Sequence, residues 1–203
     1  MAQGPEARAR RVQRRDEVKA RLRAAMVEAA RDRPYSAITV GDITGTAGIS
    51  RSTFYFYYRD KGELLTDAAR AATSRLFEDA DRYWASDADP RLLVRDALGL
   101  AATTFSEHAT LIRVTMEVTA YDERVGEFWR SSVQGLIDTI AERVRRDQAA
   151  GVVDAEVDPE PFTEALVTAA QGYLFRSIRR NGDAPEEAVD VLAEIWTRVL
   201  YRG

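Results

Sequence analysis

The segment Arg51-Ser-Thr-Phe-Tyr-Phe-Tyr-Tyr58 carries the groups best able to do chemistry, with five aromatics in the seven residues from Ser52 to Tyr58. At helical spacing Phe54 and Tyr58 lie four apart and share one face with Ile49, which predicts a buried stripe. Arg51, Ser52, Thr53, Tyr55, Phe56 and Tyr57 are left on the other face and the flanks. Hydroxyls of Ser, Thr and Tyr suit phosphate oxygens, a guanidinium reaches a guanine edge or a phosphate, and Phe56 can pack on a thymine methyl. Burying the whole run as a core helix would leave too many polar groups in need of partners. This is binding chemistry rather than catalysis. His108 is the one histidine and cysteine is absent. Carboxylate pairs such as Asp79/Asp81 and Glu186/Glu187 read as solvated faces, so no catalytic residue, metal site or cofactor is expected.

The surrounding residues are those that place such a helix. Thr39 can cap a helix, with Asp42 three residues on as a capping box. Val40, Ile43 and Ala47 share a face of that helix. Gly48 can take a positive φ and end it, Ile49 points inward from the turn, and Ser50 caps the next helix. Asp60 with Glu63 predicts a further helix from Lys61. Two short helices and a tight turn make a helix-turn-helix, whose second helix enters the DNA major groove.

With its Thr-Val-x-x-Ile start, Gly-Ile-Ser turn, Tyr-rich second helix and following Lys, this window resembles the DNA-binding segment of TetR-family bacterial regulators. The resemblance implies that Tyr55, Tyr57 and Lys61 contact the DNA backbone. The expected DNA-facing set is Thr39, Ser50, Arg51, Ser52, Thr53, Tyr55, Phe56, Tyr57 and Lys61, with Arg14 and Arg15 from a basic arm at residues 1–15.

The net charge of −4 conceals a division along the chain. Residues 1–62 carry 13 Lys+Arg against 7 Asp+Glu, and residues 63–203 carry 16 against 26. A basic head on an acidic body suits a nucleic-acid-binding domain attached to one of another purpose. Arg8, Arg10, Arg11, Arg14 and Arg15 can lie along phosphates or reach a minor groove. No apolar run approaches a membrane span, the first residues lack a signal-peptide core, and the missing cysteines fit a reducing cytoplasm, the expected location.

The pattern beyond the head is helical, and the expected fold class is all-α. The first helix is predicted over 16–32, with Val18, Leu22, Ala25, Met26 and Ala29 on one face. Later helices are predicted over 61–84, 90–107, 109–121, 123–150, 159–180 and 185–201, for nine in all, the number found in the resembled family. Pro90, Pro159 and Pro185 stand at or near starts, and Gly151 and Gly182 just past ends. The expected domains are a helix-turn-helix unit at 16–62 and a ligand-binding and dimerisation body at 63–203.

The last two helices present Phe162, Leu166, Ala169, Ala170 and Tyr173, then Val189, Leu192, Ile195, Trp196 and Val199. Ala165, Ala169 and Gly172 allow close helix approach. In the family this pair forms a four-helix bundle with a second copy, so a homodimer is implied. The body most resembles actinobacterial regulators of the ethionamide-resistance type, through Glu127-Phe-Trp129, Leu174-Phe175 and Glu194-Ile-Trp-Thr197. That group implies a small apolar or amphipathic effector in a channel lined here by Phe105, Trp129, Val133, Leu136, Tyr173 and Trp196. Thr168 and Gln171 replace its Asn pair as polar handles. The function expected is a dimeric repressor on double-stranded operator DNA, released by that effector. The alternatives are a constitutive or activating DNA-binding regulator, or a helical binding protein or enzyme that retains the head.

Overall fold

The computed structural model describes residues 5–78, 80–182 and 186–201. Among them the chain is α-helical, with one 3₁₀ turn at Tyr35–Ala37. The helices are α1 (Pro5–Ala29), α2 (Val40–Ala47), α3 (Arg51–Tyr57), α4 (Lys61–Glu78), α5 (Ala80–Trp84), α6 (Pro90–Glu107), α7 (Ala109–Val118), α8 (Glu123–Ala149), α9 (Pro159–Asn181) and α10 (Glu186–Leu200). Helices α4 and α5 fill the stretch that the sequence assigned to one helix. Residue 79 between them lies outside the described residues, as does Pro185.

Two compact units emerge. One contains residues 1–70 and 113–127, the other 71–112 and 128–203. The boundary expected at residue 62 therefore falls inside α4. Contiguous reading of the sequence also missed that residues 113–127 rejoin the first unit. In that unit Leu22, Met26, Ile38, Ile43, Phe54, Leu64 and Leu65 are fully buried. Val114, Val118 and Val125 from the returning segment are also buried. Each fully buried aliphatic or Phe side chain contributes on the order of 2 kcal/mol.

The first helix begins earlier than predicted, at Pro5 rather than Asp16. The apolar periodicity starts only at Val18, but Arg, Ala, Gln and Glu are strong helix formers without it. The basic residues Arg8, Arg10, Arg11, Arg14 and Arg15 are thus exposed positions on a helix, not an arm. Arg8, Arg11 and Arg15 share a face at i, i+3 and i+7.

The second unit is built on α6, α8, α9 and α10. Asp89 caps α6 by accepting from the Arg91 amide at 2.8 Å, with Pro90 in the first turn. Gly182 closes α9 in the left-handed region at φ 85° and donates its N–H to the Ile178 carbonyl. Leu166 and Ala170 of α9 are buried. So are Val189, Leu192 and Trp196 of α10. Ile195, which the sequence groups on one face with Leu192 and Trp196, is exposed together with Val191. A stripe written at 3.6-residue spacing cannot separate the buried face from an adjoining apolar one. On α9, Phe162, Ala165, Ala169 and Gly172 form a second exposed row of apolar and small residues. Among the described residues no helix is long and apolar enough to cross a membrane.

Candidate functional site

The turn between α2 and α3 is built from caps. Thr39 accepts from the Asp42 amide at 3.1 Å, while the Asp42 carboxylate accepts from the Thr39 amide at 2.8 Å and its hydroxyl at 2.6 Å. Those bonds from Thr39 hold the Asp42 carboxyl at about 2, below the usual 3.8. Gly48 ends α2 at φ 61°, a conformation that favours glycine. Arg21 of α1 donates to the Ala47 carbonyl at 2.6 Å, satisfying the helix end where the turn begins. Ser50 then accepts from the Thr53 amide at 3.1 Å and starts α3. Its hydroxyl also meets those of Ser52 and Thr53 at 2.9 and 2.8 Å.

This geometry sorts the aromatic run. Phe54 is fully buried and Tyr58 is 3 % exposed. The Tyr58 hydroxyl donates to Asp67 at 2.7 Å, and Asp67 also receives Lys19 at 3.2 Å. Burial, with the Asp67 charge and hydrogen bond, raises the Tyr58 phenol pKa well above its usual value. Ile49, expected to point inward, is half-buried. Tyr55 is 57 % and Phe56 81 % exposed. Arg51 and Ser52 are exposed beside them, while Thr53 and Tyr57 are half-buried. The Phe56 and Tyr57 rings meet edge-on at 5.1 Å. The Arg51 guanidinium lies against Gly41, where an added Cβ would come within 2.5 Å of it. One short helix thus presents a guanidinium, hydroxyls and two aromatic rings to solvent, with its buried side anchored.

Lys61 has a different setting from the rest. Its ammonium donates to the Tyr35 carbonyl at 2.8 Å and the Ile38 carbonyl at 2.7 Å, and sits 4.2 Å from the Tyr35 ring centre. Burial lowers its pKa from the usual lysine value. Two of its three N–H donors are therefore engaged in holding the backbone that leads into α2. The capping of α4 also differs from expectation. Asp60 accepts from the Glu63 amide at 2.9 Å, but Glu63 reaches back to the Arg59 amide rather than to Asp60. Arg124 of the returning segment pairs with Asp60 at 2.8 Å, and Arg113 donates to the Ala30 carbonyl. These latches, like Arg21, carried no sequence signal, since each joins residues distant along the chain.

The second unit encloses a cavity of about 680 Å³. Its lining includes Phe105, Leu136, Gln171 and Trp196 from the expected set. Trp129, Val133 and Tyr173 are not among its lining residues. Trp129 is instead packed edge-on against Phe77 at 5.9 Å and tilted against Phe105 at 6.5 Å. Tyr173 is half-buried with the Arg176 guanidinium over its ring, and Val133 is also half-buried. On α9 the lining follows Val167, Ala170, Gln171 and Leu174, a row from which Tyr173 is turned away. Thr168 is exposed and is not a lining residue.

The sequence missed one wall altogether, formed by Leu76, Ala80, Tyr83 and Trp84. Trp84 stacks with Trp196 at 6.4 Å and 21°. The segment after Trp84 is held from α8. Arg143 donates to the Ser86 carbonyl at 2.9 Å and to both Asp147 oxygens at 2.9 Å, and Arg146 donates to the Trp84 carbonyl at 2.6 Å. Asp147 also accepts from the Tyr201 hydroxyl at 3.0 Å, and burial beside that carboxylate raises the Tyr201 pKa. His108 ends α6 with its backbone N–H on the Thr104 carbonyl. Among the described residues no group of acidic, histidine or cysteine side chains could hold a metal ion.

Known proteins share this architecture. Residues 22–68 match the family "Bacterial regulatory proteins, tetR family", and residues 94–202 match "Transcriptional regulator EthR, C-terminal domain". The chain is 27 % identical over 179 residues to the HTH-type transcriptional regulator EthR of Mycobacterium tuberculosis, covering 84 % of this chain and 81 % of that one. To the EthR of Mycolicibacterium smegmatis it is 25 % identical over 170 residues, covering 82 % and 78 %. A TetR-family regulator from Syntrophomonas wolfei superposes with a TM-score of 0.76 at 14 % identity, over 91 % of this chain and 96 % of its own. SmeT, the repressor of the Stenotrophomonas maltophilia multidrug efflux pump SmeDEF, gives 0.73 at 16 % identity, over 93 % and 90 %.

Proposed function

The chain belongs to the TetR family of DNA-binding transcriptional regulators, in its EthR type, and from that premise we propose that it acts as a homodimeric, effector-released repressor. The observation that carries the DNA reading is the exposed face of α3, where Arg51, Ser52, Tyr55 and Phe56 stand clear of a fully buried Phe54. Arg51 and Phe56 read base edges, and Ser52, Tyr55 and Tyr57 engage phosphates. Thr39, Ser50 and Thr53 act through the caps that set the helix. Lys61 fixes the approach to α2 and offers its remaining N–H to a phosphate. Arg14 and Arg15 add charge from the exposed first turns of α1.

Two copies read a near-palindromic site, with half-sites about 34 Å apart, one turn of DNA. The exposed row of Phe162, Ala165, Ala169 and Gly172 on α9, with Val191 and Ile195 on α10, supports pairing through these helices. Small residues there let helices approach closely, and apolar ones supply the area. The cavity supports an apolar or amphipathic effector. Such a ligand releases DNA by binding better to the state that does not fit the operator, and the shift cannot exceed that difference in affinity. The cytoplasm is the compartment where this work is done.

The test pairs two measurements on the same protein and a footprinted operator. A cavity ligand raises the melting temperature and weakens operator binding together. Stabilisation with unchanged operator affinity overturns effector release and leaves a constitutive regulator.

A further inference from the structure

Resting on the reading of α3 as the helix that meets DNA, we propose that Gly41 is a specificity-determining position. Its missing side chain makes the seat on which the Arg51 guanidinium lies, and so directs the base contact that Arg51 makes. Gly41 stands in the first turn of α2, and Arg51 opens α3. A Cβ built on Gly41 would come 2.5 Å from Arg51 Nη2 and 3.5 Å from its Cζ. The guanidinium therefore reaches back across the turn and rests on bare α2 backbone. Glycine weakens a helix relative to alanine, so its presence there calls for a reason. The backbone supplies none, since the glycines with positive φ are Gly48, Gly151 and Gly182. Gly45, in the same helix, has open space where a Cβ would stand. At Gly41 the space is taken by Arg51.

Packing, not pairing, places this guanidinium. Arg51 is exposed, and the carboxylate nearest in sequence, that of Asp42, accepts from Thr39 and pairs with Arg33 at 3.4 Å. A guanidinium reads guanine through two parallel N–H bonds to O6 and N7, which demands a set direction. A long side chain loose in solvent has many rotamers to lose on binding, and a seat reduces that loss. A methyl group at position 41 would push the tip aside. The displaced atoms are the far end of a flexible side chain, so the fold and the charge survive while the fork is presented from elsewhere. Stability and base preference should then come apart, which a merely structural glycine would not allow.

The probe is a duplex selected from a random-sequence pool by the parent protein, with each base pair of one half-site then substituted in turn and binding titrated at fixed salt. Arg51→Ala marks the pair that Arg51 reads, as the one where discrimination falls about tenfold or more. Gly41→Ala is expected to lower discrimination at that same pair about threefold or more, with a melting temperature at or above the parent's. Gly45→Ala makes the same change over open space and keeps the parent's preference. In the Arg51→Ala background Gly41→Ala alters nothing at that pair. Parental discrimination in Gly41→Ala protein, an equal change in both backgrounds, the same change from Gly45→Ala, a melting temperature well below the parent's, or no pair marked by Arg51→Ala each overturns the proposal and leaves the operator reading standing. Parent protein that selects no sequence from the pool removes the operator reading and the proposal with it.

Discussion

The helix-turn-helix and the cavity are built by different rules. The turn is local: Thr39 caps with Asp42, Ser50 with Thr53, and Phe54 anchors the helix whose other side is exposed, all within a short span of chain. The cavity draws on α4, α5, α6, α8, α9 and α10, and its Trp84 wall is held by Arg143 and Arg146, about sixty residues further on. A local site announces itself in sequence, since each residue type answers to a neighbour three or four positions away. A site assembled from six helices does not, because the partner that decides each position is elsewhere.

The largest effect that could break this contrast lies in the body. Asp147→Ala leaves the Arg143 guanidinium, 5 % exposed, without its carboxylate, and should cost about 3–5 kcal/mol in urea unfolding. A loss below about 1 kcal/mol would show that the carbonyls of Ser86 and Ala88 suffice for Arg143, so the wall does not depend on the long-range pair. Next comes Lys61→Met, which removes two bonds to backbone carbonyls and should lower stability by about 1–3 kcal/mol while also weakening operator binding. If only operator affinity falls, Lys61 acts as a phosphate contact alone and its bonds to Tyr35 and Ile38 add nothing measurable.

The smallest effect belongs to the cap. Thr39→Ala should cost about 1 kcal/mol at neutral pH. The sign with pH follows from Asp42, whose folded pKa is lowered to about 2 from 3.8. Its contribution is present above the unfolded value and is lost as the pH falls through the folded one. The stability difference between parent and Thr39→Ala should therefore shrink on acidification from pH 4 towards pH 2 (about two units). A difference that stays constant would detach the cap from the carboxylate.

These particulars show what was legible in the sequence. The division of Phe54 and Tyr58 from Tyr55 and Phe56 follows from helical period, and so does the all-α character of the chain. The start of α1 was misplaced because a polar, arginine-rich segment forms helix by propensity without an apolar stripe. Ile195 and Trp196 are adjacent and equally apolar, yet one is exposed and the other buried. Only the neighbouring helices decide between them. Trp129 was assigned to the cavity by resemblance and is turned instead into the ring cluster of Phe77 and Phe105. The link from 113–127 back to the first unit, through Arg124 to Asp60, leaves no mark on either segment alone.

The exposed face of α3 is the surface proposed to bind operator DNA. Tyr55 is exposed, so Tyr55→Ala should leave the melting temperature within about 2 °C of the parent. Its affinity for the footprinted operator, titrated at fixed salt, should fall about tenfold or more. Tyr55→Ala protein that binds the operator as tightly as the parent would rule out DNA binding through this face of α3.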